Sequence, residues 1–382
     1  MNKKTKVYAG IGVIVLVLFC ILGYVNLQHK KNQTKWSTNK SVMTVKLKKA
    51  GKNKHTGDLK KILAPNGFSG TAVYIKNNKI IDSYTSGYAN EKTHEKNKLD
   101  NTYEINSLQK ILTAGLVMKQ VELGKIKLTD KLSKYDKEIP GSENITIQQM
   151  LNMHSGLSMK SLKYKDKEIS QKQLRNMIKE HVTYNPEKLN HWSYQPVNYM
   201  ILSEVMEKVT HQTYQQLFNK YYIKKLDLKE TEFGYDKPKT KRVNGYYMQK
   251  DGKAKVFVPT KANYQVELGT GQVYMSATDF YRVVSNLLNG KLIGGKKYAK
   301  ELYEPANLNL ETKYFGGAYD LTNHVKTANG YGLGYEEHYI FSKDGKKAVI
   351  WLDNIYYPGG NSGIVGAKSK FIKMYFKSGL IK

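Results

Sequence analysis

Cysteine is almost absent from this chain. Cys20 is its single cysteine among 382 residues, so no disulfide can form in the main part of the protein. Hydrophobic residues make up 40% and aromatic residues 11%, which argues against a disordered chain. The length is sufficient for one large domain or two medium ones with a sizeable core.

Arginine is also scarce, although the chain is strongly basic. Lysine and arginine total 62 against 32 acidic residues, a net charge of +30, yet only Arg175, Arg242 and Arg282 are arginine. Base readout and bidentate phosphate contacts favour the planar guanidinium group. The composition therefore disfavours specific nucleic-acid recognition and favours an anionic polymer or lipid surface as partner.

Long hydrophobic runs are absent except near the N-terminus. Lys3, Lys4 and Lys6 precede the uncharged run Val7–Val25, which at about 1.5 Å per residue nearly spans a hydrocarbon core of about 30 Å. The residues after Tyr24 lack a small-x-small cleavage site. We therefore predict an uncleaved transmembrane anchor, with a cytoplasmic stub, over residues 1–27.

A basic stretch without acidic residues follows the predicted anchor. Residues 28–57 hold nine lysines, from Lys30 to Lys54, a composition typical of a solvated tether. Residues 58–382 still carry a net charge of +18, so the excess is not confined to the tether. We predict a single domain over residues 58–382.

The two ends of this domain contain β patterns, whereas its middle is helical. Apolar runs flank Asn77-Asn78, a plausible hairpin turn because asparagine tolerates positive φ. The other segments are predicted to be strands at Tyr339–Phe341 and Ala348–Leu352, and helices at Leu108–Leu123, Ile147–Met153, Val197–Val209, Thr278–Leu288 and Gly366–Tyr375. This order predicts one sheet closed by both chain ends, with a helical insertion.

A Ser-x-x-Lys motif opens the first long helix. Positions i and i+3 share a helix face, so the Lys110 amine can reach the Ser107 hydroxyl. Asn106 is a candidate N-cap, which would place Ser107 in the first turn, where free N–H groups favour a developing oxyanion. The motif is weak by itself, since Ser37 and Lys40 in the tether have the same spacing.

Four further segments occur in the order expected for one enzyme family. The chain resembles the penicillin-binding-protein and class C β-lactamase family, whose Ser-x-x-Lys motif is a catalytic signature. The segments that carry the resemblance are Tyr103–Lys110, Val121–Asp130 with Ile145–Leu157, Trp192–Tyr199, Leu268–Asp279, and Lys326–Ala328 followed by Gly332-Leu333-Gly334. The resemblance implies an α/β (α+β) β-lactamase/transpeptidase-like fold, with an antiparallel sheet flanked by helices and a mainly helical subdomain.

The resemblance also implies a serine hydrolase and assigns its catalytic groups. Ser107 would attack an acyl carbonyl and form an acyl-enzyme, while Lys110 takes its proton. Tyr194 would transfer a proton to the leaving group. The family chemistry needs no cofactor, and the nine histidines are scattered without a metal-binding pattern.

The substrate-binding groups are expected on the closing strand. The oxyanion hole would consist of the N–H groups of Ser107 and Asn329. Lys326 and Thr327 would face a carboxylate or phosphate next to the acyl group.

Two positions depart from the family pattern. The tyrosine motif has Pro196 where the family has an asparagine that binds the peptide group of the substrate. The closing strand has Ala328 in place of glycine, and its methyl group narrows the approach to the site. Both changes argue against efficient β-lactam hydrolysis and tight recognition of a peptide backbone.

Three functions remain open from the sequence. The first is an envelope esterase that removes D-alanine from teichoic acid, whose anionic chain a lysine-rich surface would attract. The second is a D,D-carboxypeptidase or related penicillin-binding protein that acts on peptidoglycan stem peptides. The third is a non-catalytic protein that binds wall polymer. All three place the N-terminus in the cytoplasm and the domain outside the membrane.

Overall fold

A computed structural model of the protein describes residues 47–165, 167–305, 312–322, 325–358 and 363–376. Its strands are β1 Lys48–Lys49, β2 Gly70–Lys76, β3 Lys79–Ser86, β4 Tyr88–Asn90, β5 Glu95–Lys96, β6 Tyr103–Glu104, β7 Ser155–Met159, β8 Val182–Leu189, β9 Thr231–Phe233, β10 Gly245–Met248, β11 Ala254–Phe257, β12 Val273–Met275, β13 Tyr314–Phe315, β14 Ala318–Thr322, β15 Val325–Gly332, β16 Tyr335–Ser342, β17 Lys347–Asp353 and β18 Ile355–Tyr356. Its α-helices are α1 Asp58–Leu63, α2 Gln109–Glu122, α3 Ile147–Leu151, α4 Gln171–His181, α5 Val197–Thr210, α6 Tyr214–Phe218, α7 Lys224–Leu226, α8 Lys261–Gln265, α9 Ala277–Leu288, α10 Lys296–Tyr303 and α11 Gly363–Tyr375.

An eight-stranded sheet joins both ends of the described chain. Its order is β1-β3-β2-β17-β16-β15-β14-β13, with β2 antiparallel to β17 from Gly70↔Asp353 to Lys76↔Lys347. This confirms the predicted sheet built from the two chain ends. The expectation of an antiparallel sheet is wrong at one edge: β1 pairs with β3 in parallel, so the sheet is mixed.

The β2–β3 hairpin follows the sequence prediction. Asn77 and Asn78 have φ values of 50° and 59°, so both turn residues adopt the left-handed conformation that a tight two-residue hairpin requires. The turn directly links Lys76 with its partner Lys79. The predicted pair near the C-terminus is also present, as the longer strands β16 and β17.

Helices cover both faces of this sheet. On one face, α1 and α11 contribute Leu59 and Phe371 to a core that includes Trp351 of β17. On the other face, Phe280 of α9 packs on Tyr339 of β16, with 5.5 Å between ring centroids. Helix α2 lies deeper still and is buried from Gln109 to Gln120, which is typical of a central core helix.

The N-terminal predictions lie mostly outside the described residues. The predicted span Val7–Val25 is among the residues not described, and no helix of the described part is long and apolar enough to cross a membrane. The predicted tether needs correction at its C-terminal end. Lys48 and Lys49 pair with β3, and the Asn53 amide donates to the Ile81 carbonyl at 2.9 Å, so the domain begins before residue 58.

The β13–β14 turn packs directly on the first turn of α2. Gly317 has a φ of +88°, and a Cβ atom added there would lie 2.4 Å from the Ile111 nitrogen and 2.5 Å from the Lys110 carbonyl carbon. Both neighbours are backbone atoms of a buried helix and cannot move independently. This contact fixes the sheet edge against the start of α2.

We therefore expect Gly317→Ala to destabilise the protein much more than a glycine substitution in open space. Overpacking against backbone should lower the free energy of unfolding by about 3 kcal/mol. The matched control is Gly252→Ala, where φ is +79° and nothing lies within 4 Å, so only backbone strain of about 1 kcal/mol applies. Urea unfolding of both variants measures the difference, and equal losses would contradict this packing argument.

Candidate active site

Ser107 and Lys110 form a hydrogen-bonded pair at the start of α2. Ser107 lies in a 3₁₀ turn, Asn106–Leu108, that leads directly into the helix. The Lys110 Nζ donates to the Ser107 Oγ at 2.8 Å, a distance suited to proton transfer. Lys110 is 1% exposed, whereas Ser107 is half-buried, so the nucleophile is accessible and its partner is shielded.

Asn106 differs from its predicted role as a helix cap. The cap position of the 3₁₀ turn is Ile105, without a side-chain hydrogen bond, and Asn106 itself has a φ of 45°. Its side-chain amide instead donates to the Gly332 carbonyl at 3.1 Å and to Glu337 at 3.2 Å. Asn106 therefore connects the nucleophile turn to the closing strand β15 and its neighbour β16.

Two fully buried carboxyl groups hold this turn. The Asn106 N–H donates to the Glu104 Oε2 at 2.9 Å, and Glu337 accepts from the Asn106 side chain on the other side. Burial raises the pKa of Glu104 to about 8 and holds the pKa of Glu337 well above its ordinary value. Burial thus favours the neutral, protonated form of both groups, in which they anchor the turn without adding buried negative charge.

Tyr194 lies next to the Ser107–Lys110 pair, as the sequence predicts. The Lys110 Nζ is 5.2 Å from the centroid of the Tyr194 ring, and Tyr314 of β13 contacts that ring edge-on at 6.0 Å. The Tyr194 hydroxyl is half-buried and forms no hydrogen bond with the described part of the chain. Its proton is thus available to a reacting group.

The two departures from the family pattern lie near these residues. Pro196 is exposed and immediately precedes α5, with its φ of −54° already helical, as proline's ring requires. Ala328 on the closing strand is 4% exposed. Neither offers a side-chain hydrogen-bond donor to a substrate.

Alternation along β15 decides which side chains face the nucleophile. A Cβ atom added to Gly330 would lie 2.9 Å from the Ile105 carbonyl oxygen, so this face of the strand meets the nucleophile turn. Lys326 and Ala328 share that face because strand side chains alternate. Thr327 points to the opposite face, where its hydroxyl donates to the Tyr339 carbonyl at 2.7 Å. The structure therefore does not bring the Thr327 hydroxyl to Ser107.

Lys326 is buried in an ion pair with β14, on the same face of β15 that meets the nucleophile turn. It is 0% exposed, its Nζ lies 3.2 Å from the Asp320 carboxylate, and it also donates to the Tyr303 carbonyl. Burial lowers its pKa to about 8, against the opposing effect of Asp320. Substrate binding by Lys326 stays a prediction, because a ligand would first have to displace this pair.

Asn329 is fixed from behind by a buried polar network. Its Oδ1 accepts from the Lys368 Nζ at 2.6 Å and the His338 Nδ1 at 3.0 Å. The Lys368 ammonium group only donates, so the Asn329 atom that it contacts is the amide oxygen. Because that oxygen only accepts, the His338 Nδ1 must carry a hydrogen. The His338 Nε2 lies 2.9 Å from Glu336, and its ring stacks on Trp351 at 4.9 Å. Burial lowers the pKa of both His338 and Lys368, the latter to about 8.

The predicted oxyanion hole would lie at the edge of β15 that carries the Asn329 backbone. The last residue of β15 paired with β14 is Thr327, opposite Tyr319, so the strand edge beyond it has no partner strand on that side among the described residues. The backbone of Asn329 lies on this free edge, one residue before the close approach of Gly330 to the nucleophile turn. The use of the Asn329 N–H in an oxyanion hole stays a prediction.

The sequence interpretation missed four residues that support the site. They are Glu104, Glu337, His338 and Lys368, and none touches the Ser107 hydroxyl. One signal was available: Glu336-Glu337-His338 interrupts an otherwise apolar strand, and a charged run in a strand covered on both faces indicates a buried network. Lys368 gave no such signal, because lysine is common throughout this chain.

A family model and known proteins match this chain over most of its length. The family model described as Beta-lactamase matches residues 59–366. A Bacillus subtilis (strain 168) protein named penicillin-binding protein PbpX is 25% identical, over 93% of this chain and 91% of that protein. A Staphylococcus aureus protein named teichoic acid D-alanine hydrolase is 28% identical, over 68% of this chain and 64% of that protein.

A solved structure supports the fold. The crystal structure of FmtA from Staphylococcus aureus matches with a TM-score of 0.71 at 24% identity, covering 84% of this chain and 86% of that one.

We expect Glu104→Gln to change how stability depends on pH. The pKa of Glu104 rises from its ordinary 4.5 to about 8 in the folded protein. Between these values the folded state binds a proton that the unfolded state has released, so the free energy of unfolding falls as pH rises. Glutamine keeps the acceptor for the Asn106 N–H but has no such proton.

Relative to the wild type, this variant should therefore gain on the order of 3 kcal/mol of stability between pH 5 and pH 8. Denaturant unfolding at both pH values gives the comparison. An identical pH dependence of the two proteins would show that Glu104 is ionised in the folded state.

Proposed function

The chain belongs to the beta-lactamase family of serine hydrolases, and we propose that it removes D-alanyl esters from teichoic acids. The observation that carries this proposal is the 2.8 Å contact between the Lys110 Nζ and the Ser107 Oγ, next to the Tyr194 ring. A hydroxyl with an adjacent base is the arrangement of an acyl-enzyme nucleophile. The similarity to a teichoic acid D-alanine hydrolase supports the choice of substrate.

Acylation uses three side chains. The Ser107 Oγ bonds to the ester carbonyl carbon while its proton passes to the Lys110 Nζ. The N–H groups of Ser107 and Asn329 stabilise the oxyanion. As the bond to the polymer oxygen breaks, Tyr194 gives that oxygen a proton and recovers one from Lys110.

Deacylation reverses these transfers with water in place of the polymer alcohol. Water bonds to the carbonyl carbon of the D-alanyl-enzyme and gives one proton to Tyr194, which hands its own proton to Lys110. The bond to the Ser107 Oγ then breaks, and the oxygen recovers its proton from Lys110. The products are free D-alanine and a polymer with a free hydroxyl group.

The two departures from the family pattern favour an ester over a peptide. An ester substrate has no amide to be held by the side-chain donor that is missing at Pro196. The Ala328 methyl group stands on the face of β15 that meets the nucleophile turn, where it narrows the space beside the acyl group. A single D-alanyl group needs less room there than a peptide.

A second candidate is a D,D-carboxypeptidase of the penicillin-binding-protein type. It is favoured by the similarity to PbpX, which spans 93% of this chain. The same nucleophile and base would serve this reaction, with an amine as leaving group instead of an alcohol. The two candidates differ only in substrate, so one experiment separates them.

Both substrates lie in the cell envelope, which determines the proposed location. We propose a single-pass protein held by the run Val7–Val25, with its N-terminus in the cytoplasm and its catalytic domain on the wall side. The uncharged run supports the membrane span. Lysines flank it on both sides and do not orient it, so the proposed orientation rests on the envelope substrates.

The direct test is D-alanine release from purified D-alanylated lipoteichoic acid by the full-length protein. Ser107→Ala should lower this release by about a thousandfold or more, because the variant has no nucleophile. The matched control is Ser37→Ala, since Ser37 and Lys40 repeat the same spacing in the tether; this variant should retain full activity.

A peptide ending in D-Ala-D-Ala is assayed in parallel. Release of D-alanine from the peptide but not from the polymer would replace the esterase with the carboxypeptidase. Release from neither substrate would reject both proposals.

A further inference from the structure

One turn beside the nucleophile carries a carboxyl group that the proposed mechanism does not use. Residues 267–271, here called the acidic turn, lie between α8 and β12. The N–H groups of Thr270 and Gly271 donate to the Glu267 carbonyl at 2.9 and 3.1 Å. The Thr270 hydroxyl donates to the Glu267 Oε2 at 2.6 Å, so the side chain of Glu267 is held in place as well as its backbone.

Two hydrogen bonds attach the acidic turn to α2, the helix that follows the nucleophile turn. The Thr113 hydroxyl donates to the Gly269 carbonyl at 2.7 Å. The N–H of Gln272, the residue after the turn, donates to the Gln109 side-chain oxygen at 2.7 Å. Since Gln109 is the first residue of α2, the acidic turn borders the start of this helix.

Gly271 leaves open the space between Glu267 and the nucleophile turn. A Cβ atom added to Gly271 would lie 3.6 Å from the Glu267 Cβ and 3.4 Å from the Asn106 Cα, and Asn106 directly precedes Ser107. Glu267 and the nucleophile turn thus meet at a position without a side chain. Electrostatics agree with this proximity: burial raises the pKa of Glu104 most, the nearby Glu267 adds to the rise, and Lys110 opposes it.

Glu267 differs from the other carboxyl groups around the site. It is half-buried, and no lysine, arginine or histidine of the described chain forms an ion pair with it. Glu104 and Glu337 are fully buried, and Asp320 is paired with two lysines. Among these four groups, Glu267 alone combines access from outside with the lack of a basic partner in the described residues.

We propose that Glu267 binds the α-ammonium group of the D-alanyl residue whose ester is cleaved at Ser107. This inference rests on the proposed function and names the group that the acyl site recognises. The ammonium nitrogen is two bonds away from the ester carbonyl carbon, so it stays beside the nucleophile turn when that carbon bonds to Ser107. A carboxylate suits this nitrogen because hydrogen bonds between charged groups are stronger than neutral ones.

The same contact distinguishes a D-alanyl ester from a stem peptide. In the peptide the corresponding nitrogen belongs to an amide, which has no charge for Glu267 to bind. The ester brings a positive group close to Lys110, which gains a proton when Ser107 reacts. Glu267 offsets the repulsion between these two cations, so it favours the ester at the step in which the acyl-enzyme forms.

The test uses two small esters that differ only at this nitrogen. D-Alanine methyl ester has a free ammonium group, whereas N-acetyl-D-alanine methyl ester has a neutral amide. Assays at about pH 6.5 keep the amino group charged, because the ordinary pKa of an α-amino group is about 7.7 or higher. The full-length wild type is compared with Glu267→Gln, which keeps an acceptor for the Thr270 hydroxyl.

The matched control is Glu230→Gln. Glu230 is also half-buried, and its carbonyl accepts from the Ser276 N–H at 3.0 Å, just after β12. The nucleophile turn lies at the other end of β12, where the Ile105 N–H donates to the Val273 carbonyl at 3.0 Å. The same substitution at these two places isolates the contribution of Glu267.

We expect Glu267→Gln to lower kcat/KM for D-alanine methyl ester about tenfold, because one hydrogen bond between charged groups is lost. Its kcat/KM for the N-acetyl ester should stay within about twofold of the wild type, which verifies the fold and the nucleophile. Glu230→Gln should leave both esters unchanged. A purely structural role of Glu267 would instead impair both esters alike.

Binding without turnover separates this proposal from the proposed function. D-Alanine methyl ester is titrated into full-length Ser107→Ala, with and without Glu267→Gln, and the second change should weaken binding about tenfold. Equal losses on both esters, no loss on D-alanine methyl ester, or binding to Ser107→Ala that is absent or independent of Glu267 would each overturn the ammonium site. If the wild type cleaves neither the esters nor the D-alanylated polymer while binding still depends on Glu267, the proposed function fails but the ammonium site stands.

Discussion

The contact between Asn106 and the closing strand is the constraint on which the site depends. The Asn106 side-chain amide donates a hydrogen bond to the Gly332 carbonyl at 3.1 Å. This bond fixes the distance between the nucleophile turn and β15, the strand of the predicted oxyanion hole. This arrangement requires a left-handed backbone conformation at Asn106, with a φ of 45°, which asparagine tolerates better than most residues. Glu104 and Glu337 stabilise this conformation by accepting hydrogen bonds from the Asn106 backbone N–H and side-chain amide.

The protein separates its charges by environment. Around the nucleophile turn, burial raises the pKa of Glu104 and of Glu337 and so favours their neutral forms, because two ionised carboxylates at this depth would repel each other and the oxyanion. Outside the site, the exposed surface is rich in lysine, which suits an anionic polymer. A neutral interior and a basic surface are consistent with one task, which is to attract a polyanion and stabilise a transient negative charge at one point.

The local parts of this structure could be predicted from the sequence. The Asn77-Asn78 turn and the pairing of Ser107 with Lys110 depend on residues close in the chain, so spacing and turn preference were sufficient. The Glu104–Asn106–Glu337 and Lys368–Asn329–His338 contacts depend on pairs up to 231 residues apart. The alternation of β15 was also missed at Thr327, because a motif match does not specify which face of a strand meets the site.

The most direct measurement is mass spectrometry of the acid-quenched protein after mixing with D-alanylated lipoteichoic acid. The account predicts that one alanyl group is attached to the peptide containing Ser107, and that Ser107→Ala carries none. Release of D-alanine without any adduct on Ser107, or with an adduct on another residue, would contradict the assignment of Ser107 as the nucleophile.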